Sequence, residues 1–213
     1  NDIQSLEFSE REINPKYYVV SPACFAEEGM LEAIAKKKKK TFFRIGGSYL
    51  AEIESAIGIF RKFNNEQIVL LHGFQNYPTK IEETDLSLLR SLRNIFDVEV
   101  GLADHIDGGS PLAKIIPILS LPYGATYIEK HITLDRNKKS EDFESALNPI
   151  DFKEFVDNVR ASEIAIGSAS FKELSEATKR YRKIVRKRIV ARENILEGEV
   201  ISMNHLIYKR CDI

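Results

Sequence analysis

The chain has 213 residues, of which 43% are hydrophobic and 30% charged, as is typical of a globular protein with one large domain and room for a small appendage. Its 31 basic and 32 acidic residues nearly cancel, so we expect no nucleic acid as a partner. No apolar run reaches the roughly 18 residues of a membrane span, and no signal peptide opens the chain. With two distant cysteines and no disulfide framework, a cytoplasmic location without membrane contact is the expectation.

Strand-like and helix-like segments alternate along the first 167 residues. Residues 1–16 give no clear element. Apolar runs predict strands, and apolar residues at helical spacing predict helices; the strands are 17–20, 41–45, 67–72, 98–103 and 126–129. Five helices are predicted. Three have definite ranges, 26–37, 84–96 and 151–167, the last with Asp151 and Glu154 as its capping pair. The other two are a helix capped by Ser48 and a helix that has Pro111 in its first turn and a kink at Pro117. The alternation predicts an α/β fold with a parallel sheet, either doubly wound or a (β/α) barrel, with the chemistry at the carboxyl ends of the strands.

The C-terminal part has a different character. Residues 179–192 are strongly basic, and shorter hydrophobic spacing with a glycine turn follows them. This predicts a small β-containing appendage after a linker. RNA binding is the alternative interpretation of the basic run, but no aromatic stacking platform accompanies it. The lysine run at 36–40 is interpreted as the solvated end of a helix, where cations favour the helix dipole.

Two histidines mark the most informative stretch, residues 98–136. His105 and His131 each follow a predicted strand, and one helix-length segment separates them. If the two strands are parallel neighbours, both imidazoles emerge at the same edge, roughly 4.8 Å apart. With Asp104 and Glu129 beside them, they form a candidate site for Mn²⁺, Fe²⁺, Co²⁺ or Zn²⁺. The alternative is that both histidines are hydrogen-bonded structural side chains.

Other polar side chains follow the strands and would share this edge. They are Ser21, Arg44, His72, Gln75, Tyr77, Asp135 and Asp142. No GxGxxG fingerprint and no P-loop occurs in the sequence, so nucleotide binding of those two kinds is not indicated.

Four motifs in order carry a resemblance: LLHGFQNYPTKIEETDLSLL, VGLADH, YIEKHITLDR and SEDFESALNP. Together they resemble the sialic acid synthase family, enzymes that condense phosphoenolpyruvate with an N-acetylmannosamine-type sugar. The resemblance covers residues 17–167. Residues 189–210 resemble the start of the family's antifreeze-like domain.

The resemblance implies a (β/α)₈ TIM-type barrel and a homodimer in which the antifreeze-like domain reaches the partner subunit. The five predicted strands correspond to the last five of that barrel. The implied division is a partial barrel at 1–168, a linker at 169–188 and the beginning of the antifreeze-like domain at 189–213. A five-stranded open sheet would expose an apolar edge, which favours association.

The resemblance also implies roles for individual residues. The family's metal ligands fall on His105 and His131, and its metal, for which Mn²⁺ is the first choice and Mg²⁺ or Co²⁺ the alternatives, activates the sugar aldehyde. Asp104 and Glu129, which lie beside these histidines in the sequence, are the candidate catalytic residues. Substrate contacts fall on Ser21 for the phosphate and on Gln75, Tyr77 and Asp142 for the sugar, with Arg44 as a further candidate for the phosphate.

The phosphate side departs from the family pattern. Tyr18 and Ala23 stand where a lysine and a glutamate are common, and Arg44 opens an Arg-Ile-Gly turn in place of Ser-Thr-Gly. Ala103 replaces a serine. Three hypotheses therefore stay open: a metal-dependent synthase, a degenerate or truncated relative that binds a sugar or a partner subunit without turnover, and another barrel enzyme with metal-assisted aldol chemistry.

Overall fold

The computed structural model describes residues 2–73 and 76–210, which belong to two compact units, 1–167 and 168–213. The helices of the first unit are α1 (Ile3–Glu12), α2 (Glu28–Lys36), α3 (Leu50–Lys62), α4 (Leu88–Phe96) and α5 (Pro149–Ile166). Its strands are β1 (Tyr17–Val20), β2 (Lys40–Arg44), β3 (Ile68–His72), β4 (Glu99–Asp104) and β5 (Ala125–Lys130). The five predicted strands are therefore confirmed to within one or two residues.

All five strands are parallel and lie in the order β1-β2-β3-β4-β5. The predicted α/β fold with a parallel sheet is confirmed. Each crossover adds its strand on the same side of the previous one, whereas a doubly wound sheet reverses direction at a switch point. The sequential order is the one in which the wall of a (β/α) barrel is built.

The two faces of the sheet have different coverings. Alternate side chains of each strand point to opposite faces. On the helix-covered face, Phe43, Leu70 and Val100 are fully buried against α2, α3 and α4. The opposite face, called here the inner face, has a small apolar cluster of Val69, Leu71 and Ala103 flanked by Phe42 and Tyr127. Polar side chains continue the inner face beyond this cluster.

The segment between β4 and β5 is not the predicted α-helix. It forms two 3₁₀ segments, Pro111–Lys114 and Ile116–Tyr123. Proline has no N–H to donate to a helix and clashes with the preceding turn. Pro117 and Pro122 both fall in the second segment, so an α-helical ladder cannot be completed there. The helix prediction for this segment was wrong.

The starts of all five helices differ from the prediction; α2 begins two residues later than predicted, at Glu28, and α4 four residues later, at Leu88. Helix α1 lies in the stretch for which no element is predicted, and the Asp2 carboxylate accepts the Ser5 N–H at 2.8 Å to cap it. Helix α3 begins after Tyr49, whose N–H donates to the Glu52 carboxylate at 2.7 Å, so Ser48 is not its cap. Helix α5 begins at Pro149, two residues before the predicted start.

The predicted capping pair of α5 has another partner. The ammonium group of Lys114 lies 3.1 Å from the Asp151 carboxylate and 2.7 Å from the Glu154 carboxylate. Both carboxylates therefore connect α5 to the first 3₁₀ segment.

The second unit holds α6 (Glu176–Val185) and two antiparallel strands, β6 (Arg188–Ala191) and β7 (Leu206–Lys209). Much of the segment predicted as a linker is thus helical. Across both units, none of the helices in the described residues is long and apolar enough to cross a membrane.

Two glycines give a matched test of the packing of β4. A Cβ at Gly101 would lie 2.7 Å from the Tyr127 carbonyl oxygen, and that oxygen cannot move without disturbing β5. We expect Gly101→Ala to lower the free energy of unfolding by about 1–3 kcal/mol, as overpacking does. The control is Gly58 in α3, where a Cβ meets nothing within 4 Å. Gly58→Ala should raise the free energy of unfolding by about 0.5–1 kcal/mol. Urea denaturation measures both, and the same sign for both would contradict the packing described here.

Candidate active site

The two histidines of the VGLADH and EKH motifs meet on the inner face. Strands β4 and β5 pair so that Ala103 lies beside Glu129, two residues before His105 and His131 respectively. A period of two residues therefore places both imidazoles on the face that carries Ala103 and Glu129. The ring centroids are 5.1 Å apart. The predicted pairing of the two imidazoles on neighbouring strands is what the structure has.

The backbone and ring of His105 are both held in place. Its carbonyl oxygen accepts hydrogen bonds from the Thr79 N–H at 2.8 Å and the Ser145 hydroxyl at 2.7 Å. Its Nδ1 lies 3.1 Å from the Ala103 carbonyl oxygen. Since a carbonyl only accepts, Nδ1 carries the proton and Nε2 keeps its lone pair. Burial, and then the neighbouring His131, lower the pKa of His105, which favours the neutral ring.

Tyr77 completes a cluster of three rings. Its ring centroid is 5.0 Å from that of His105 and 5.8 Å from that of His131, and it stands nearly perpendicular to both. The loop that carries Tyr77 is joined to the end of β4 by the bridge between Thr79 and Ile106. Burial, and then the charge of Asp142, raise the pKa of Tyr77. Its hydroxyl therefore stays protonated and can donate a hydrogen bond at neutral pH.

Asp142 reaches the same place through the loop after β5. The Leu147 N–H donates to the His131 carbonyl at 3.0 Å, which folds this loop back along the end of the strand. The Asp142 carboxylate then lies 3.7 Å from Nδ1 of His131. The predicted sugar-binding residues Tyr77 and Asp142 thus flank the histidines from two different loops.

Arg136 holds this loop, a role that no sequence pattern indicates. Its guanidinium donates to the carbonyl oxygens of Phe143 at 2.9 Å and Glu144 at 3.2 Å, and also to that of Ala146. A single side chain therefore fixes the backbone that directly follows Asp142, through three carbonyl groups. Because all three acceptors are backbone groups, their residue types carry no signal of the contact.

Arg44 and Glu129 form an ion pair on the inner face. Arg44 ends β2 and Glu129 lies near the end of β5, and the pair spans β3 and β4 between them. Nη2 and Nε of Arg44 lie 2.9 Å and 3.3 Å from the same oxygen, Oε2 of Glu129. The two side chains are 39% and 29% exposed. The structure thus brings both predicted residues to the histidine side of the sheet, paired with each other.

Asp104 is not with them. Asp104 is two residues after Leu102 in β4, so its side chain points to the same helix-covered face. There it forms an ion pair with Lys130. Both side chains are only 1% exposed. Burial raises the pKa of Asp104, and the charge of Lys130 opposes that shift. A direct catalytic contact, as expected from the position of Asp104 beside His105, does not fit this placement, because the carboxylate faces away from the imidazoles.

Two of the remaining candidates have hydrogen-bond partners near the ends of their own strands. Ser21 follows the edge strand β1, and its hydroxyl accepts the Ala23 N–H at 3.4 Å at the start of a short 3₁₀ turn. Nε2 of His72 lies 3.0 Å from the Thr84 carbonyl oxygen. Gln75 lies outside the described residues.

The donor set bears on the predicted metal. Within residues 2–73 and 76–210, no group of three or more histidine, cysteine, aspartate and glutamate side chains is arranged to hold a metal ion. The protein's contribution would be two imidazoles, with His105 oriented by its Nδ1–H as metal-binding histidines commonly are. These residues fit a divalent ion that completes its shell with water or substrate oxygens.

The chain is similar to synthases of two nonulosonic acids. The chain is 34% identical over 199 residues to a pseudaminic acid synthase of Campylobacter jejuni, a match that covers 93% of this chain and 56% of the relative. It is 31% identical over 211 residues to an N,N'-diacetyllegionaminic acid synthase of the same species, covering 98% of this chain and 61% of the relative. The chain thus spans somewhat more than half the length of these relatives.

A solved structure shares the fold. The crystal structure of an N-acetylneuraminic acid (sialic acid) synthetase from Leptospira borgpetersenii aligns with a TM-score of 0.75 and 25% sequence identity, over 86% of this chain and 63% of that one. The model of the NeuB family matches residues 1–171, most of the chain and all of the site described above. The chain therefore belongs to the NeuB family.

Proposed function

We propose that this chain carries the metal-binding part of the active site of a synthase that joins phosphoenolpyruvate to an N-acetylmannosamine-type sugar, giving a sialic or other nonulosonic acid. The observation that carries the proposal is the cluster of His105, His131 and Tyr77 with Asp142 beside it, in a chain of the NeuB family. The named relatives, synthases of pseudaminic and legionaminic acid, support the reaction class.

His105 and His131 would hold the metal, with Mn²⁺ as the first choice and Mg²⁺ or Co²⁺ as alternatives. A divalent ion bound there would supply Lewis acidity to the aldehyde of the open-chain sugar. Tyr77 can donate to a sugar oxygen and Asp142 can accept from a sugar hydroxyl, so the two residues would orient the acceptor. In the overall reaction the phosphoenolpyruvate methylene carbon bonds to the aldehyde carbon, one water is consumed and inorganic phosphate is released.

Asp104 receives a different role in this proposal. Together with Lys130 it joins the residues that precede the two histidines, on the face opposite the site. A contact of this kind positions the imidazoles without touching the substrate. Glu129, in contrast, shares the face of the histidines, where it is paired with Arg44.

We also propose that the five strands are part of the wall of a (β/α)₈ barrel whose interior is the inner face. The sequential strand order supports this, as does the exposure of Tyr17 and Val19 on β1, which are 57% and 46% exposed. The two antiparallel strands of residues 168–213 would be the start of an antifreeze-like domain, and a homodimer the functional assembly.

Release of phosphate tests the proposed reaction. The protein is incubated with phosphoenolpyruvate, Mn²⁺ and either N-acetylmannosamine or a 2,4-diacetamido sugar, and inorganic phosphate is measured. We expect release only when sugar and metal are both present, and loss of release in Tyr77→Ala, a variant that leaves both histidines in place. Release that is independent of the sugar would contradict a condensation.

A second candidate function is binding without turnover. It is favoured because residues expected to bind the phosphate differ from the family pattern. Ala103 stands in place of a serine, and Arg44 is already paired with Glu129. In that case calorimetry would detect sugar binding by a folded chain that releases no phosphate with any sugar tested.

A further inference from the structure

The Arg44–Glu129 pair lies directly below the histidines on the inner face. Glu129 is two residues before His131, and its register partner Ala103 is two residues before His105. At roughly 3.3 Å per residue, Glu129 lies about 6–7 Å along its strand from His131, and the guanidinium of Arg44 reaches that level through its bond to Glu129. A ligand that contacts both the guanidinium and the histidine edge would therefore need only the length of a three-carbon acid with a phosphate group.

The pair uses only part of the binding capacity of Arg44. Nη2 and Nε both lie against the single oxygen Oε2 of Glu129, at 2.9 Å and 3.3 Å. A guanidinium matches two oxygens of one oxyanion in parallel, and two bonds to different oxygens of a phosphate or carboxylate are stronger than a shared one. Glu129 thus occupies the guanidinium in a geometry that a better-shaped anion can replace.

Exchange of partners would also cost little. The two side chains are 39% and 29% exposed, and ion pairs of this exposure contribute little free energy.

We propose that Arg44 is the oxyanion-binding residue of the site and that Glu129 is its internal competitor. The phosphate or the carboxylate of phosphoenolpyruvate displaces Glu129 from the guanidinium, and the freed carboxylate then lies beside His131. The inference rests on the proposed function for the identity of the anion.

A double-mutant cycle on anion binding tests this, without metal or sugar. Binding of phosphoenolpyruvate, inorganic phosphate and pyruvate is measured by calorimetry, in the presence of a chelator, for the wild type, Arg44→Ala, Glu129→Gln and the double variant. Removing the competitor should tighten binding about 2–5-fold, the range that corresponds to a partly exposed ion pair. Arg44→Ala should weaken binding at least about 10-fold, because a charge-assisted hydrogen bond is lost. In the Arg44→Ala background, Glu129→Gln should have no effect of its own.

A second ion pair on the same face provides the control. Lys40 and Glu99 are the first residues of β2 and β4, at the edge of the sheet away from the histidines. They form an ion pair at 2.8 Å, and their exposure is comparable to that of Arg44 and Glu129. Glu99→Gln removes the same charge and should leave anion binding unchanged. Circular dichroism confirms that each variant is folded.

The inference is overturned if Glu129→Gln leaves binding unchanged or weakens it, or if it tightens binding equally with and without Arg44, since the carboxylate would then act by general repulsion. Binding of inorganic phosphate by the wild type supports contact of Arg44 with the phosphate end, and binding of pyruvate supports contact with the carboxylate end. If the wild type binds neither, and Arg44→Ala still binds phosphoenolpyruvate with full affinity, the inference is overturned. A cycle as predicted in a chain that forms no product would remove only the proposed function. Product formation with unchanged anion binding in Arg44→Ala would remove only this inference.

Discussion

Lys130→Met is expected to lower the free energy of unfolding by about 3–5 kcal/mol, because it leaves the Asp104 carboxylate buried without its cation. Both side chains of this pair are 1% exposed, so water cannot replace the lost partner. The same substitution at Lys153, whose pair with Asp157 is 76% and 62% exposed, should change stability by no more than about 0.5 kcal/mol. Urea denaturation of the two variants gives the comparison.

The double variant Asp104→Asn/Lys130→Met separates the cost of an unpaired charge from the value of the pair. Replacing both partners by neutral groups is often close to neutral in free energy, so we expect the double variant to be more stable than Lys130→Met alone. A loss below about 1 kcal/mol for Lys130→Met would show that the carboxylate finds water or another donor, and would contradict the buried placement of the pair.

His105→Ala and His131→Ala are each expected to weaken Mn²⁺ binding by more than about 100-fold, because loss of an outer-shell partner alone costs 10–100-fold and these variants remove a ligand itself. The free Mn²⁺ signal in an electron paramagnetic resonance titration measures the affinity, and the wild type should bind one ion per chain. His72→Gln is the matched control, since Nε2 of His72 contacts the backbone carbonyl oxygens of Thr84 and Asp85.

Unchanged Mn²⁺ binding in both alanine variants would contradict the assignment of the histidines as ligands. An equal loss in His72→Gln would also contradict it, because binding would then depend on the fold of the chain as a whole. The expected result isolates the two rings whose centroids are 5.1 Å apart.

The pairing of His105 with His131 was predictable from the sequence for a physical reason. A strand has a period of two and adjacent parallel strands share their carboxyl edge, so residues at the same distance from that edge share a face. The same rule sends Asp104 and Lys130 together to the other face. The period of two therefore already separated the side chain of Asp104 from the imidazoles, although Asp104 precedes His105 directly in the sequence.

Contacts between distant parts of the chain were not predictable in this way. Arg44 reaches Glu129 across two intervening strands, and no pattern in the sequence pairs these two side chains, which are 85 residues apart. Arg136 binds backbone carbonyls, which any sequence presents. The 3₁₀ segments before β5 were misjudged because hydrophobic spacing was given more weight than two prolines five residues apart.

The proposed formation of a carbon–carbon bond at this site can be followed at the phosphoenolpyruvate methylene carbon. Phosphoenolpyruvate labelled with ¹³C at that carbon is incubated with the protein, Mn²⁺ and a 2-acetamido sugar, and the ¹³C spectrum is recorded. We expect the olefinic signal to be replaced by that of a saturated methylene carbon within a sugar acid, in step with release of phosphate. Conversion of the label only to the methyl group of pyruvate, or an unchanged olefinic signal with a folded protein and bound Mn²⁺, would contradict it.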